Sequence, residues 1–223
     1  MFILRIFMAY TETVDRILDA AELLFAEKGF SETSLRMITG NAKVNLAAVN
    51  YHFGSKNALI QAVFNRFLRP LNDLMLEGLQ ANKWDHKGGN IPTIEDILRL
   101  YTRSLLSIPT RHDKGISIFM RLLGLAYTQS QGHLRKYLED EYSKTFWPFL
   151  NLMKQITPEL STAERFWRIQ FVMGAMAFTM SSIQPLTDIL ENKVDSKAKP
   201  EQVVDYLVPF LAAGLGAGAA TPS

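Results

Sequence analysis

Apolar residues recur along most of the chain at intervals of three and four positions, the spacing that places them on one face of an α-helix. No run alternates between apolar and polar residues as a half-buried strand does. The first periodic segment extends from about Glu12 to Lys28 and is followed by Gly29, a residue type suited to a helix C-cap. The pattern predicts an all-α protein.

The same spacing predicts further helices along the rest of the chain. A fourth helix runs from about Ser55 to Gln80, and a fifth begins after Thr93, where acidic residues occupy the first turn. The later predicted helices are Ile116–Ser130, His133–Ile156, Thr162–Pro185 and Pro200–Gly214. Because proline disrupts helix interiors, Pro148, Pro185 and Pro209 should kink or end them locally.

Residues 34–56 predict two short helices joined by a tight turn. Ser34 and Asn45 stand at the two N-cap positions, where their side-chain oxygens can accept from free backbone amides. The apolar residues that give both helices a buried side are Leu35, Ile38, Ala42, Val44, Val49 and Phe53. This arrangement is typical of a helix-turn-helix.

Charge is distributed unevenly around this segment. No acidic residue occurs from Ser34 through Asn72, whereas all six acidic residues of the first 72 lie between Glu12 and Glu32. The cationic residues of the acid-free stretch are Arg36, Lys43, Lys56, Arg66 and Arg69. Such a surface suits DNA, where cations that contact phosphates release counterions. The alternative is an ordinary helical hairpin with solvated charges.

Composition narrows the class of protein. The 223 residues carry a net charge of +2, and 48% are hydrophobic, enough for a substantial core. There is no cysteine, and the four histidines show no metal-ligand spacing, so we expect no metal, no cofactor and no enzyme activity. The short apolar run at residues 1–7 suits neither a signal peptide nor a membrane span. We interpret it as an upstream extension or a mis-called start, the alternative being a functional amphipathic tail, and we expect a cytoplasmic protein.

Three stretches of the first 70 residues resemble the TetR family of DNA-binding regulators in residue type, order and spacing. They are Arg16–Phe30, Thr33–Ile38 and Val49–Lys56, the last followed by Leu59. The resemblance implies a helix-turn-helix DNA-binding domain at residues 9–70 and a helical effector-binding and dimerisation domain at residues 71–223. It also implies a homodimer that binds double-stranded DNA at a pseudo-palindromic operator.

The second domain resembles the PsrA group of that family, which comprises fatty-acid-responsive repressors. The matching segments are Ser117–Ala126, Gln129–Arg135 and Tyr137–Glu139. This resemblance implies a small hydrophobic effector, a long-chain fatty acid or its CoA thioester.

Two residues depart from the family pattern. Lys43 stands in the turn where many members have glycine, so a left-handed backbone there would cost about 1 kcal/mol. Either Lys43 offsets this cost by reaching a phosphate, or the turn differs slightly. Asn50 stands where many members have tyrosine. Because asparagine can bond bidentately to adenine, base preference should differ from that of the tyrosine-bearing members.

The residues predicted to contact DNA lie on or beside the two short helices. They are Thr33, Ser34, Arg36, Lys43, Asn45, Leu46, Ala47, Ala48, Asn50, Tyr51, His52 and Lys56. Ser34, Thr33 and Lys56 are expected near phosphates at helix N-termini. Asn50 and Tyr51 are the expected side-chain contacts in the groove.

Several positions on the second short helix allow more than one interpretation. Val49 and Phe53 are interpreted as core residues. Helical spacing places Leu46 inward, whereas the family alignment places it in the groove, which we favour because Ala47 and Ala48 permit close approach. Tyr51 could instead be a packing residue, and His52 could cap local structure rather than contact phosphate.

Five residues of the second domain are predicted to contact an effector. They are Phe119, Arg121, Tyr127, Arg168 and Phe171. Arg121 lies within an apolar run, where a buried guanidinium would need a partner such as a ligand carboxylate. The alternatives are an internal acidic partner or exposure to solvent, and the apolar helices themselves could be ordinary core.

The last two predicted helices carry small residues that allow close helix approach, and we assign these helices to a homodimer interface.

Two other functions remain open at this point. One is a DNA-binding regulator without a small-molecule effector. The other is an all-α lipid-binding protein or enzyme in which the helical hairpin is incidental.

Overall fold

The computed structural model describes residues 2–84, 90–129, 132–194 and 200–219. Within these ranges the chain forms ten α-helices, and the only extended pairing is an isolated bridge between Trp84 and Asn90. In chain order the helices are α1 (Phe2–Glu32), α2 (Leu35–Ala42), α3 (Leu46–Phe53), α4 (Lys56–Ala81), α5 (Ile94–Leu106), α6 (Gly115–Thr128), α7 (Gly132–Ile156), α8 (Thr162–Ser181), α9 (Ile183–Val194) and α10 (Pro200–Leu215). The all-α fold predicted from the sequence is confirmed.

The helix α1 is interrupted at Gly29, the residue that the sequence identified as its C-cap. Gly29 has φ 83° and ψ 168°, a conformation that residues with a Cβ rarely adopt. A Cβ there would also collide with the side-chain amide of Gln129, which accepts a hydrogen bond of 3.0 Å from the backbone amide of Phe30. The chain therefore turns at Gly29 before the two short helices begin.

One helix was not predicted. The sequence suggested a single helix that ends at Pro185, but α8 ends at Ser181 and a separate helix, α9, begins at Ile183. Pro185 lies in the first turn of α9, where the missing N–H of proline costs no intrahelical hydrogen bond. The prolines at 148 and 209 likewise lie within α7 and α10 and do not end them.

Two compact units make up the structure. Unit 1 contains the residues up to Leu68 together with the segment Thr110–Asp140, and unit 2 contains Arg69–Pro109 and the residues from Glu141 onward. The sequence placed the domain boundary at residue 70 and assigned everything after it to the second domain. The structure instead places α6 and the first part of α7 in unit 1.

Aromatic packing explains why α6 belongs to unit 1. Phe119 is 1% exposed, stacks on Phe67 with ring centroids 4.8 Å apart, and meets Phe64 edge to face at 6.4 Å. Phe64 in turn contacts Phe30. Large buried rings of this kind dominate core energetics, so the helix-turn-helix rests on a core that sequence-distant residues complete.

Unit 2 is built around α5, α8 and α10. Helix α5 begins with a complete capping box, in which Thr93 and Asp96 each accept from the other's backbone amide. Arg165, a buried residue of α8, donates hydrogen bonds to the backbone carbonyls of Thr157 and Leu160. These bonds satisfy two acceptors of the loop that follows α7. None of the helices in the described part of the chain is long and apolar enough to cross a membrane.

Candidate nucleic-acid interface

The short helices α2 and α3 both begin at a side-chain cap. The Ser34 hydroxyl accepts from the Met37 amide at 3.2 Å, and the side-chain Oδ1 of Asn45 accepts from the Ala48 amide at 2.8 Å. Both N-caps predicted from the sequence are confirmed. Each cap satisfies one otherwise unpaired amide and leaves the other first-turn amides available to an anion.

The turn between α2 and α3 contains a left-handed lysine. Lys43 has φ 53° and ψ 47°, and its side chain is exposed. A residue with a Cβ adopts this conformation at a cost of about 1–2 kcal/mol. The structure has the left-handed backbone at Lys43 and not a different turn; contact of the Lys43 side chain with a phosphate stays a prediction.

Helix α3 is held by few buried side chains and presents the rest outward. Val49 is its fully buried residue, as predicted, and Phe53 is half-buried. Leu46 and Asn50 are exposed, and Tyr51 is 79% exposed. The exposure of Leu46 is consistent with the groove-facing interpretation, and that of Tyr51 rules out a buried packing role in this structure.

The remaining predicted contact residues are at least partly exposed, with one exception. Arg36, Lys43, Asn45 and Ala47 are exposed, and Ala48 and His52 are half-buried. Thr33 differs from the prediction, because it is fully buried and its hydroxyl donates to the carbonyls of Leu24 and Gly29. Its side chain stabilises the end of α1 and has no free hydroxyl to offer a phosphate.

The first turn of α4 lies beside the end of α1. The Lys56 ammonium donates to the Ser31 carbonyl at 3.3 Å, and the Ser55 hydroxyl accepts from the Ala58 amide at 3.1 Å. Partial burial lowers the pKa of Lys56, and the nearby carboxylate of Glu32 opposes that shift. Ser55 is thus the N-cap of α4, a role that was not predicted although a serine one residue before a helix is an N-cap signal.

Arg66 is the clearest departure from the predicted basic surface. Its guanidinium donates to Asp15 at 3.2 Å and to Asp19 and Glu22 at 2.7 Å each. Arg111 adds contacts of 2.9 Å to Asp15 and 3.2 Å to Asp19. Arg66 therefore neutralises the acidic face of α1 inside unit 1, and it adds no positive charge to the surface formed by α2 and α3.

Two carboxylates of this ion-pair cluster belong to a group with the spacing of metal ligands. Among the described residues, Asp19, Glu22 and His112 place one ligand atom each within 4.8 Å of one another. Both carboxylates already accept hydrogen bonds of 2.7 Å from Arg66. Burial raises the pKa of Glu22, and Arg66 opposes this shift. Arg66 therefore competes with any added cation for Asp19 and Glu22.

The five predicted effector contacts are divided between the two units. Phe119, Arg121 and Tyr127 lie on α6 in unit 1, and Arg168 and Phe171 lie on α8 in unit 2. Phe119 is a core residue, whereas Arg121 is exposed and Tyr127 is 63% exposed. Arg121 thus avoids the apolar environment expected from its neighbours, because it falls on the solvent side of its helix.

Arg168 has a structural role that the sequence did not indicate. It donates to Glu164 at 2.7 Å, to the carbonyl of Leu215 at 3.1 Å and to that of Gly218 at 2.6 Å. It also donates to the carbonyl of Ala217. These carbonyls lie at and beyond the C-terminal end of α10, where a cation is favourable. Arg168 therefore joins α8 to the end of α10.

Large aromatic side chains are exposed on two helices of unit 2. On α8, Trp167 and Phe171 stack with ring centroids 6.3 Å apart, and Phe171 is 66% exposed. On α10, Tyr206 and Phe210 are also largely exposed. Exposed apolar surface of this kind is typical of protein–protein contacts.

Comparison with known families identifies both parts of the chain. The family described as "Bacterial regulatory proteins, tetR family" matches residues 17–63, and the family described as "Tetracyclin repressor-like, C-terminal domain" matches residues 99–214. The second match alone covers more than half of the chain. The protein belongs to the TetR family.

Individual relatives resemble part of the chain. The probable HTH-type transcriptional regulator YttP of Bacillus subtilis is 42% identical over 55 residues, which are 25% of this chain and 27% of that protein. The HTH-type transcriptional repressor BepR of Brucella suis is 36% identical over 75 residues, 34% of each chain. The similarity thus spans about a third or less of these relatives.

Solved structures resemble the whole fold. A TetR family transcription regulator from Marinobacter aquaeolei superposes with a TM-score of 0.60 at 14% identity, over 92% of this chain and 95% of the other. The hemolysin II transcriptional regulator HlyIIR gives a TM-score of 0.55 at 19% identity, over 91% and 98%. At these identities the similarity concerns the fold.

Proposed function

We propose that the protein is a DNA-binding transcriptional repressor. The observation that carries this proposal is α3, a capped helix whose outer residues Leu46, Asn50 and Tyr51 are exposed while Val49 anchors it. A helix presented in this way fits the major groove, which is wide enough to admit it. The similarity of residues 17–63 to bacterial regulators supports the same function.

The flanking residues support binding to the phosphate backbone. The first turns of α2 and α4 provide backbone amides and the positive ends of helix dipoles, and Lys56 lies at the start of α4. Arg36 and Lys43 add exposed positive charge beside α3. In this proposal Lys56 and Ser34 position the protein on phosphates, and Asn50 and Tyr51 read bases.

The exposed aromatic residues of α8 and α10 support a homodimer. We propose that these two helices pack against the same helices of a second copy, as a two-fold interface requires. The four exposed rings already described supply the apolar area that such an interface buries. A two-fold dimer would place its two α3 helices about 34–36 Å apart, one turn of DNA.

We propose a long-chain fatty acid or its CoA thioester as the effector. The support is the resemblance of Ser117–Ala126, Gln129–Arg135 and Tyr137–Glu139 to the PsrA group. An effector releases DNA only if it binds the DNA-incompetent conformation more tightly than the competent one. Oleate, oleoyl-CoA and butyrate, each below its aggregation threshold, should be titrated against a preformed protein–DNA complex. Release by a long-chain species alone is expected; release by neither long-chain species would contradict this effector.

DNA binding itself is tested by fluorescence anisotropy with labelled duplexes from upstream of the gene that encodes the protein. We expect an affinity that falls steeply between 50 and 200 mM salt, because phosphate contacts release counterions. A fragment of unrelated sequence should bind more weakly at every salt concentration. No binding to any duplex at low salt would contradict the proposal and favour a lipid-binding protein with an incidental helical hairpin.

A further inference from the structure

The turn that directs α3 closes α2 with a left-handed residue. The Lys43 amide donates to the carbonyls of Thr39 and Gly40, the latter at 3.4 Å, and the Val44 amide donates to Thr39 at 3.1 Å. None of these bonds uses the carbonyls of Ala42 or Lys43. Helix α3 has eight residues and buries only Val49 fully. A helix this short is not stable alone, so its direction depends on the turn before it.

A side chain from α1 reaches this turn. The Nη2 atom of Arg16 donates to the carbonyl of Ala42 at 2.5 Å and to the carbonyl of Lys43 at 2.8 Å. These are consecutive carbonyls, one at the end of α2 and one on the left-handed residue itself. Arg16 thus donates hydrogen bonds to the last residue of α2 and to the left-handed residue at which the chain changes direction.

We propose that Arg16 is a positioning residue for DNA recognition. It holds the left-handed turn at Lys43 and so fixes the angle at which α3 leaves α2, without contacting DNA itself. The proposal rests on the proposed DNA-binding function and adds to it the residue that orients the recognition helix.

The chemistry of arginine suits this role. The guanidinium carries several N–H donors in a fixed plane, so one group can serve two carbonyls. Its positive charge also lies at the C-terminal end of α2, where the helix dipole favours a cation. Lysine could supply the charge but not the fixed geometry, and alanine could supply neither.

A cycle of variants tests the proposal through DNA affinity. Arg16→Ala should weaken binding to a selected duplex at least tenfold, with a smaller effect on a scrambled duplex and no change in the salt dependence. Lys43→Gly should cost less affinity in the Arg16→Ala background than in the wild type, because glycine adopts the left-handed turn without strain. The loss of the lysine charge is the same in both backgrounds, so the difference reports the turn. Arg16→Lys should be intermediate, and Arg103→Ala, an exposed arginine of α5, is the matched control.

Two results would overturn this role for Arg16. One is that Arg16→Ala reduces the slope of log affinity against log salt concentration by about one and loses the same affinity for both duplexes. That result would make Arg16 a direct phosphate contact. The other is strict additivity of the Arg16→Ala and Lys43→Gly effects, which would mean that the two residues do not act on the same turn.

Hydrogen exchange of the free protein separates this proposal from DNA binding as such. Arg16→Ala should speed exchange of the Val44 and Ala48 amides at least tenfold, and Lys43→Gly should reverse part of that change. This readout needs no DNA, so it applies even if the protein binds none. Unchanged exchange at these amides in both Arg16→Ala and Arg16→Lys would refute the positioning role while leaving DNA binding intact.

Discussion

The guanidinium of Arg66 on α4 donates a 2.7 Å hydrogen bond to the carboxylate of Glu22 on α1, whose side chain is 2% exposed. Removing one partner of a buried ion pair leaves the other charge without compensation. Arg66→Ala should therefore lower the free energy of unfolding by about 3–5 kcal/mol in urea titrations. The exposed Arg69 on the same helix is the matched control, and Arg69→Ala should change stability by less than about 0.5 kcal/mol. Equal effects of the two substitutions would contradict the structural role of Arg66.

The same carboxylate predicts a pH dependence of stability. Burial raises the pKa of Glu22 above its ordinary value, although the Arg66 guanidinium opposes the shift. The folded protein then binds this proton more readily than the unfolded chain. The contribution of Glu22 to stability must fall as pH rises from about 4.3 through the higher folded pKa. Urea titrations across this range should show that Glu22→Gln removes the decline. If the stability of the wild type relative to Glu22→Gln instead increased with pH, the pKa of Glu22 would be lowered by folding, which would contradict this prediction.

Local signals in the sequence were sufficient to predict the caps and the core position of α3. Ser34, Asn45 and Val49 occupy the roles expected of them, because caps and helical periodicity depend on neighbours within a few residues. Contacts between distant segments could not be predicted in this way. Arg66 looked like part of a basic surface until the fold placed it against α1, and Arg16 meets a turn 26 and 27 residues away.

Two other differences have the same physical origin. Thr33 has a residue type suited to phosphate binding, but the turn at Gly29 buries it and directs its hydroxyl to two carbonyls. The separate helix α9 was missed because Pro185 was taken as a helix end, although proline is equally compatible with a first turn. In both cases the residue type was informative, and the surrounding backbone decided its role.

The proposed division of roles on the DNA-binding face predicts two different kinds of loss. Lys56→Ala should weaken binding to all duplexes alike and reduce the salt slope by about one, because its expected partner is a phosphate. Asn50→Ala should instead relax preference at one base pair per half-site, by about 1–3 kcal/mol. Both are measured by anisotropy on a cognate duplex and its single-base variants. Identical profiles for the two variants would contradict the division.

The proposed dimer interface predicts an effect of charge on α8. Gly174 is exposed, and a Cβ added there meets nothing within 4 Å, so Gly174→Glu should not disturb the fold of a single chain. In a two-fold dimer it would place like charges in the interface, and sedimentation should show monomers. Gly124→Glu on α6 is the matched control, since a Cβ there also meets nothing within 4 Å, and it should remain dimeric. A wild-type protein that is monomeric at micromolar concentration would contradict the interface.

Selection from a random pool of duplexes tests the central claim most directly. The wild-type protein, at about 50 mM salt, should enrich a pseudo-palindromic sequence whose half-site centres lie one DNA turn apart, about 34–36 Å. Asn50→Ala carried through the same selection should enrich the same spacing with a weaker preference at one position of each half-site. Enrichment of no sequence, or of one unaffected by substitution of the exposed residues of α3, would contradict recognition of DNA by this helix.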